Sequence, residues 1–346
     1  MRVRLEEVCK RIYAGGDVPK DRYSEVMTEE YSVPIYANAE KDNGLYGYTD
    51  KAREEELSIT VAARGTIGFT AIRREPFFPV VRLITVVPDI EKVSERYLYY
   101  VLKNCKPQSS GTSIPQLTIP DIKKNSLELY SISKQESIAN QLDKVNRVIE
   151  LRKQELNSLD CIIKARFVEL FDGKYPEDTL LNLCNIVDYR GKTPEKVEHG
   201  LPFITAKNVK MHHMTLEPRE YISKETYDKV MVRGFPKEGD VVFTTEAPLG
   251  NVCRIPHFDT EFYIGQRIVT MQTDALNPTY LEYALSDEEF VRKYMGKSSG
   301  STVTGIRVRL LQQLTIPVPA RTLQDEFSTF VNQVDKSKVI KLKNES

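Results

Sequence analysis

The sequence lacks three features that would each assign it to a common class of protein. No run of about 18 apolar residues occurs in the 346-residue chain, so the sequence predicts no membrane-spanning helix. The first residues, MRVRLEEVCKRIYAGG, contain no apolar core of the kind that defines a signal peptide. The five cysteines are scattered without a C-x-x-C pair, which favours reduced intracellular thiols over a disulfide framework or a zinc site.

The chain also lacks an excess of charge of either sign, because 49 Lys and Arg residues balance 49 Asp and Glu residues. A protein that binds nucleic acid usually carries a basic excess, so the balance counts mildly against such a role. Any basic surface must therefore be created by folding or supplied by a partner. The rest of the composition, 28% charged and 40% hydrophobic, is typical of globular chains, and the length allows two domains of about 100–200 residues each.

What the sequence does contain is an internal repeat. Residues 109–151 align without a gap over 298–340; the first segment opens with SSGTSIPQLTIPDI and the second with SSGSTVTGIRVRLL. Three earlier pairs match in the same order: RYLYYVL with TYLEYAL, ITVAARGTIG with VVFTTEAPLG, and LEEVCKRIYAGGDVP with LLNLCNIVDYRGKTP. Four pairs in one order predict a tandem duplication of a unit of about 175–190 residues.

Each copy of the repeat predicts a compact domain followed by a long helix. Short β-rich runs such as DVVFTT and RIVTMQ lie between turn residues, which favours a mostly antiparallel sheet. Asn277 and Pro278 occupy the N-cap and first positions of a predicted helix. The predicted fold class is α+β, with two tandem domains of mixed or antiparallel β-sheet and helices, separated by long coiled-coil helices in a pseudo-two-fold repeat. The predicted boundaries are 1–132 and 173–321 for the domains, 133–172 for the long helix and 322–346 for a shortened second helix.

Segment 133–172 carries apolar residues at heptad spacing over about five heptads, the pattern of a coiled-coil seam. About 38 helical residues at about 1.5 Å each give a rod of about 57 Å, which we expect to hold the two domains apart. A long helix across a single core is the alternative. The second copy of the helix is expected to cover only part of the first. The predicted seam consists of Ile138, Leu142, Val145, Ile149, Leu156, Leu159, Ile163 and Leu170 in the first copy, and Phe327, Val331 and Val334 in the second.

One motif resembles a catalytic signature. NPTY at 277–280 is one residue from the Asn-Pro-Pro-Tyr motif of amino-group DNA methyltransferases, whose aromatic residue stacks on an extruded base. Thr279 replaces the second proline, and the aligned segment of the first copy, SERY, predicts only a helix start. His212 and His213 have no carboxylate or cysteine at ligand spacing. We therefore predict neither a catalytic centre nor a metal site.

Polar turns are the better candidates for function. In ARGTIGFTAIRR (63–74), Gly65 and Gly68 bracket a tight turn beside several arginines. Arginines in such a position can bind base edges or phosphates, although a purely structural hairpin explains them equally well. The Lys-bearing turns at 190–194 and 205–210 have the same alternative, that of an ordinary solvated loop.

The repeated layout, a domain and then a long helix, resembles the specificity subunit of type I restriction–modification systems. LEEVCKRIYAGGDVP and LLNLCNIVDYRGKTP are similar to the opening of that family's target-recognition domains, and GLPFITAKNVK, GDVVFTTEAPLGNV and YIGQRIV to their internal strands and turns. SSGTSIPQLTIPDI with the helix after it resembles the domain exit and spacer helix. The resemblance covers essentially the whole chain and departs from the family in the short second helix.

The resemblance implies a non-enzymatic DNA-binding subunit located in the prokaryotic cytoplasm. Target-recognition domains at 1–132 and 173–321 would each bind one half of a bipartite target in double-stranded DNA. The helices would set the spacer and bind two methylation subunits, which bring S-adenosylmethionine, while a restriction subunit brings ATP. No cofactor or metal is expected in this chain. A rod of about 57 Å corresponds to about 17 base pairs.

The predicted DNA-contacting residues are polar or basic residues near glycine-containing turns: Arg64, Thr66, Arg73, Arg74, Lys192, Lys207, Asn208, Gln266 and Arg267. Gln135 and Gln324, in the first turn of each long helix, are predicted to be structural. Two alternatives stay open, a self-contained DNA adenine methyltransferase and an architectural coiled-coil protein.

Overall fold

The computed structural model describes residues 1–105, 116–173, 175–189, 191, 194–300 and 303–343, with side chains up to residue 338. The chain divides into two compact units, Met1–Arg152 (unit 1) and Lys153–Ser346 (unit 2), and the division falls inside the long helix. Within the described residues, no helix is both long enough and apolar enough to cross a membrane.

Unit 1 is built from short strands followed by helices. Its strands are β1 Arg2–Arg4, β2 Cys9–Ala14, β3 Val33–Tyr36, β4 Leu45–Thr49, β5 Ser58–Val61, β6 Thr70–Arg73, β7 Phe78–Pro79, β8 Ile84–Pro88 and β9 Ser126–Glu128. Its helices are α1 Glu95–Lys103, α2 Ile119–Lys124 and the first part of α3 Ile132–Phe171.

The main sheet of unit 1 is antiparallel, with strand order β2-β8-β5-β6. A second sheet has the order β4-β3-β7, in which β3 and β7 are parallel, and β1 pairs with β9. All four residues of β5 are buried because this central strand is covered on both faces. Ser94 caps α1 by accepting a hydrogen bond from the backbone N of Tyr97, and Leu98 of α1 lies in the core with Ile59 of β5.

Unit 2 contains a similar set of elements. Its strands are β10 Glu177–Thr179, β11 Asn185–Asp188, β12 Leu201–Ile204, β13 Val209–Lys210, β14 His213–Met214, β15 Tyr221–Ile222, β16 Val241–Thr245, β17 Leu249–Arg254, β18 Tyr263–Ile264, β19 Ile268–Gln272 and β20 Thr315–Pro317. Its helices are α4 Leu180–Leu183, α5 Lys224–Val230, α6 Pro278–Ser286, α7 Glu288–Met295, α8 Val308–Leu311 and α9 Arg321–Lys343, together with the second part of α3.

The two units share one topology. The main sheet of unit 2 has the order β11-β19-β16-β17, its second sheet has the order β15-β12-β18 with β12 and β18 parallel, and β10 pairs with β20. Each pairing has its counterpart in unit 1 in the same chain order. The α+β fold and the tandem duplication that the sequence predicts are therefore confirmed. The hairpin of β13 and β14, helix α5 and helix α7 have no counterpart among the described elements of unit 1.

Helix α3 spans Ile132–Phe171, compared with the predicted 133–172. In unit 2 it pairs antiparallel with α9, as two ion pairs show: Asp160 lies 2.7 Å from Lys338, and Arg166 lies 2.9 Å from Glu326. The predicted seam residues Ile163, Phe327 and Val331 are buried in the core of unit 2, and Leu170 and Val334 pack against it. Leu156 and Leu159 are half-buried.

The predicted seam is incomplete in unit 2 and stays a prediction in unit 1, where most of its residues are exposed in the single chain. In unit 1, Ile138 packs against the core, but Leu142, Val145 and Ile149 are 37%, 55% and 45% exposed in the single chain. In unit 2, the core also contains Phe167 and Phe171, which the heptad assignment leaves out. A straight helix drifts by about 20° per heptad, so over five heptads the face that meets the core moves away from any fixed seven-residue series.

Candidate nucleic-acid interface

Two glutamines hold the start of each long helix in the same way. The side-chain carbonyl of Gln135 accepts a hydrogen bond from the backbone N of Ser94 at 2.8 Å, and its amide donates to Tyr130 O at 2.9 Å. Gln324 accepts from the backbone N of Asn277 at 2.8 Å and donates to Pro319 O at 2.8 Å. Both side chains are fully buried. The structural role predicted for the two glutamines is confirmed, and neither is available to DNA.

The methyltransferase-like motif is a helix cap. Asn277 accepts a hydrogen bond from the backbone N of Thr279 at 2.9 Å, which satisfies the first turn of α6. Tyr280 is fully buried and donates its hydroxyl hydrogen to Pro317 O at 2.6 Å. A tyrosine inside the core cannot stack on an extruded base. The motif therefore gives no support to methyltransferase chemistry in this chain.

His212 belongs to a structural ion cluster. Its Nδ1 lies 2.9 Å from a carboxylate oxygen of Glu282, whose other oxygen accepts a hydrogen bond from Arg254 Nε at 2.6 Å. Arg254 thus pairs with a carboxylate that is otherwise buried, and His212 makes a hydrogen bond to the same carboxylate. Over the described part of the chain, no group of three or more His, Cys, Asp or Glu side chains is placed to hold a metal ion.

One end of the main sheet in unit 1 carries the turns of interest. Val61, the last residue of β5, pairs with both Thr70 and Ile84, the first residues of β6 and β8. The turns 62–69 and 80–83 therefore emerge at the same end. The residues there that are polar, exposed or both are called surface 1: Asn38, Arg64, Thr66, Val81 and Arg82.

Asn38 joins the two turns of surface 1. Its side-chain oxygen accepts a hydrogen bond from the backbone N of Ala63 at 2.7 Å, and its amide donates to the carbonyl of Val81. Arg64 is exposed, and its Nε donates to Gln116 Oε1 at 2.8 Å. Thr66 is also exposed. The structure thus brings Arg64 and Thr66 together and adds a second turn to them.

That second turn has an unusual backbone. Val81 and Arg82 have φ angles of 52° and 63°, and the backbone N of Leu83 donates to Val80 O at 3.0 Å to close the turn. This φ pattern is that of a type I′ turn, whose central positions favour Asn and Gly. Left-handed backbone costs an ordinary residue roughly 1–2 kcal/mol. Both side chains are exposed, and in the described part of the chain the Arg82 side chain has no hydrogen bond or ion pair.

The DNA contact predicted for Arg73 is wrong. It is the last residue of β6 and pairs with Ser58, at the end of the sheet opposite to surface 1. Its side chain is only 2% exposed, its guanidinium lies 3.6 Å from the ring centre of Tyr36, and it donates to Asn43 O at 2.7 Å. Burial lowers the pKa of Arg73. Burial, together with a hydrogen bond to Glu75, raises the pKa of Tyr36 to about 12. A guanidinium enclosed in this way cannot reach DNA.

Arg74 is exposed but does not belong to surface 1. It follows β6 directly, so it lies about 13 Å along the strand from the turn that carries Arg64. Its guanidinium forms an ion pair with Glu95 at the start of α1. The DNA contact predicted for Arg74 stays a prediction, and Arg74 lies at the end of the sheet opposite to surface 1.

The equivalent end of the main sheet in unit 2 carries a second cluster, which we call surface 2: Lys207, Glu246, Gln266 and Arg267. Lys207, Gln266 and Arg267 line one recess together with Lys196. Arg267 has a φ of 76°, and its Nε lies 2.9 Å from a carboxylate oxygen of Glu246. The structure therefore brings together three of the residues that were predicted to contact DNA.

Two other predictions for unit 2 have different outcomes. Asn208 is 1% exposed; its side chain accepts from the backbone N of Thr205 at 2.9 Å and donates to the carbonyls of Thr215 and Pro218 at 3.1 Å. It holds a loop from within, so its predicted DNA contact is wrong. Lys192 lies outside the described residues, as do residues 109–115 of the first repeated passage.

Surface 1 and surface 2 each carry an arginine at an equivalent position. In unit 1, Ile84 pairs with Val61, and Arg82 lies two residues before Ile84. In unit 2, Val269 pairs with Phe243, and Arg267 lies two residues before Val269. Both arginines have a positive φ. Arg82 is a residue that the sequence prediction missed. The signal existed, because VRLITVV (81–87) aligns with QRIVTMQ (266–272) in the order of the other repeats.

Comparison with known proteins places the chain in a family. Residues 1–160 match the model of the type I restriction modification DNA specificity domain. The putative type I specificity subunit S.MpnORF289P C-terminus from Mycoplasma pneumoniae is 36% identical over 121 residues, which cover 32% of this chain and 83% of that protein. The chain therefore belongs to the family of type I restriction–modification specificity subunits, as the sequence predicts.

Two further comparisons define how far the similarity extends. The putative type I specificity subunit S.MpnORF89P from the same organism is 34% identical over 165 residues, 44% of this chain and 49% of that protein, so the match spans about half of that relative. The crystal structure of the type I restriction-modification system S subunit from M. genitalium aligns with a TM-score of 0.51 at 16% identity, over 99% of this chain and 91% of that one. This second similarity supports the fold alone.

Proposed function

We propose that this chain is the DNA sequence-specificity subunit of a type I restriction–modification enzyme. The two target-recognition domains each bind one half of a bipartite target, and the long helices set the length of the spacer between the halves. The observation that carries the proposal is the position of surface 1 and surface 2. Equivalent ends of two duplicated sheets present different polar side chains, which is what a reader of an asymmetric target requires.

The balanced charge of the chain is compatible with this role if binding is bivalent. A neutral domain gains little from the phosphate backbone, which supplies most non-specific affinity. Two tethered domains gain from each other, because the first contact raises the effective concentration for the second. We therefore expect weak DNA binding by the isolated chain and strong binding once methylation subunits have joined.

In this proposal the chain itself performs no catalysis and holds no cofactor. Two methylation subunits bind the helices and supply S-adenosylmethionine and adenine-N6 methylation, while a restriction subunit supplies ATP-driven translocation and cleavage. The apolar side chains of α3 that are exposed in unit 1, Leu142, Val145 and Ile149, are candidates for the subunit contact. The cap role of the Asn277 motif supports the absence of methyltransferase chemistry.

The decisive experiment is methylome sequencing of cells that express this chain with a cognate methylation subunit. A bipartite methylated motif with an unspecified gap is the expected result. A contiguous motif, or no methylation that depends on this chain, would contradict the proposal and would favour an architectural coiled-coil protein.

A binding measurement separates the remaining alternative. A self-contained DNA adenine methyltransferase would bind S-adenosylmethionine by itself with one-to-one stoichiometry. We expect no such binding by the purified chain in isothermal titration calorimetry, and stoichiometric binding once the methylation subunits are added.

A further inference from the structure

The exposed turn at Val81 and Arg82 has no structural reason for its residue types. Two consecutive left-handed residues favour Gly or Asn, yet this turn has a β-branched residue and an arginine. The Arg82 side chain also makes no hydrogen bond or ion pair over the range that the structure describes. Strained backbone of this kind clusters at functional sites, so the turn is a candidate for contact with a ligand.

The surroundings of the turn indicate what that ligand is. The carbonyl of Val81 is held by Asn38, which also holds the backbone N of Ala63 beside Arg64. The backbone N atoms of Val81 and Arg82 donate to the carbonyls of Gly16 and Gly15 at 2.8 and 3.2 Å. The turn is therefore fixed on both sides. A fixed backbone presents a guanidinium that has no partner among the described residues. Such an arrangement suits a partner of defined geometry such as a base edge, rather than a phosphate that any flexible side chain can reach.

We propose that Arg82 is a specificity-determining residue of unit 1, which contacts a base edge in the half-site that this unit binds. Arg64 lies on the same surface and supports the contact from the neighbouring turn. In unit 2, Arg267 occupies the equivalent position. The inference rests on the proposed function and adds to it the residue through which unit 1 distinguishes its target.

The test uses the complete complex with methylation subunits and compares methylomes for the wild type, Arg82→Gln and Arg82→Gly. We expect both variants to relax discrimination at one position of one half-site by roughly 5- to 150-fold, the usual range for an arginine that binds a base edge. The other half-site and the gap remain unchanged. Arg4→Gln is the matched control, because Arg4 is an exposed arginine in unit 1 outside surface 1, and its motif should equal that of the wild type.

Arg82→Gly also separates recognition from structure. Glycine adopts a positive φ without strain, so the variant should unfold at the same temperature as the wild type or at a higher one while its specificity relaxes. A lower unfolding temperature would show a structural role and overturn the inference. An unchanged motif would overturn it too, as would equal weakening at all sites, which indicates a phosphate contact. A wild-type complex without any bipartite motif would remove the proposed function and this inference together.

Discussion

Surface 1 and surface 2 stand on the same scaffold but differ in charge. Val61 of β5 and Phe243 of β16 are equivalent positions in the central strands. Three residues further along the chain, unit 1 has Arg64 and unit 2 has Glu246. Unit 1 thus presents Arg64 and Arg82, whereas in unit 2 the arginine at the equivalent position, Arg267, is paired with Glu246 at 2.9 Å. The duplication has preserved the sheets and the helix starts and has exchanged the side chains at one end. Under the proposed function, this end of the sheet is where the two units would differ in specificity.

The largest expected effect comes from shortening α3, which tests whether the two units act independently. Deletion of residues 149–155 removes one heptad, shortens the helix by about 10.5 Å and keeps its faces in phase. We expect the gap in the methylated motif to shorten by about three base pairs while both half-sites stay unchanged. Methylome sequencing of the variant complex measures this.

The control for that deletion removes five residues, 149–153, from the same helix. This change rotates the second half of the helix by about 140° relative to the first, so methylation should be lost. If the seven-residue deletion changed a half-site sequence, the units would not be independent readers.

The next effect compares the cores at the start of the two helices. Phe327 is fully buried against Phe167 and Phe171, while Ile138, its counterpart in the repeat, is only half-buried. Phe327→Ala should destabilise unit 2 by about 3–5 kcal/mol, and Ile138→Ala should cost unit 1 about 1–2 kcal/mol. Hydrogen exchange read separately for each unit measures both. Similar losses would show that the two helix starts are packed equally.

Replacing either buried glutamine should destabilise its unit less than Phe327→Ala does, and by the same amount in both units. Gln135→Ala leaves the backbone N of Ser94 without its partner, and Gln324→Ala does the same to Asn277. Each variant should lose about 1–3 kcal/mol, which is the usual cost of an unsatisfied buried donor. Denaturant unfolding monitored by hydrogen exchange checks the values. A clear inequality would contradict the idea that the scaffold is shared at this point.

The smallest effect tests the difference in charge directly. Glu246→Gln releases Arg267 from an ion pair whose side chains are 50% and 40% exposed, so stability should change by less than about 1 kcal/mol. DNA affinity of the assembled complex should rise about 3- to 10-fold, more at low salt, because a negative charge leaves the interface. Fluorescence anisotropy at two salt concentrations measures it. Lower affinity would show that Glu246 itself contacts the DNA.

The sequence predicts the fold of this protein well because many separate stretches of the chain each indicate their own element. Repeated apolar patterns, helix caps such as Asn277 and the buried glutamines each mark an element, and two copies reinforce one another. The heptad assignment of α3 fails where helix geometry drifts from a fixed period, as at Phe167 and Phe171.

The candidate site is predicted less well, because residue type does not reveal which way a side chain points. Arg73 is one residue from exposed Arg74, yet strand alternation places it inside. An asparagine side chain can either bind DNA or form hydrogen bonds with the backbone of its own loop, and Asn208 does the second. Arg82 escaped prediction because nothing in a Val-Arg pair signals a left-handed turn. Only its alignment with Arg267 marks it.

Asn38 is hydrogen-bonded to both Ala63 and Val81, so the two turns of surface 1 are held together as one unit. A graft that moved only the 62–69 turn into a related subunit would remove the hydrogen bonds from Asn38, and the position of the transplanted Arg64 would no longer be fixed. Exchange of specificity between subunits therefore has to transfer Asn38, residues 62–69 and residues 80–83 as one cassette.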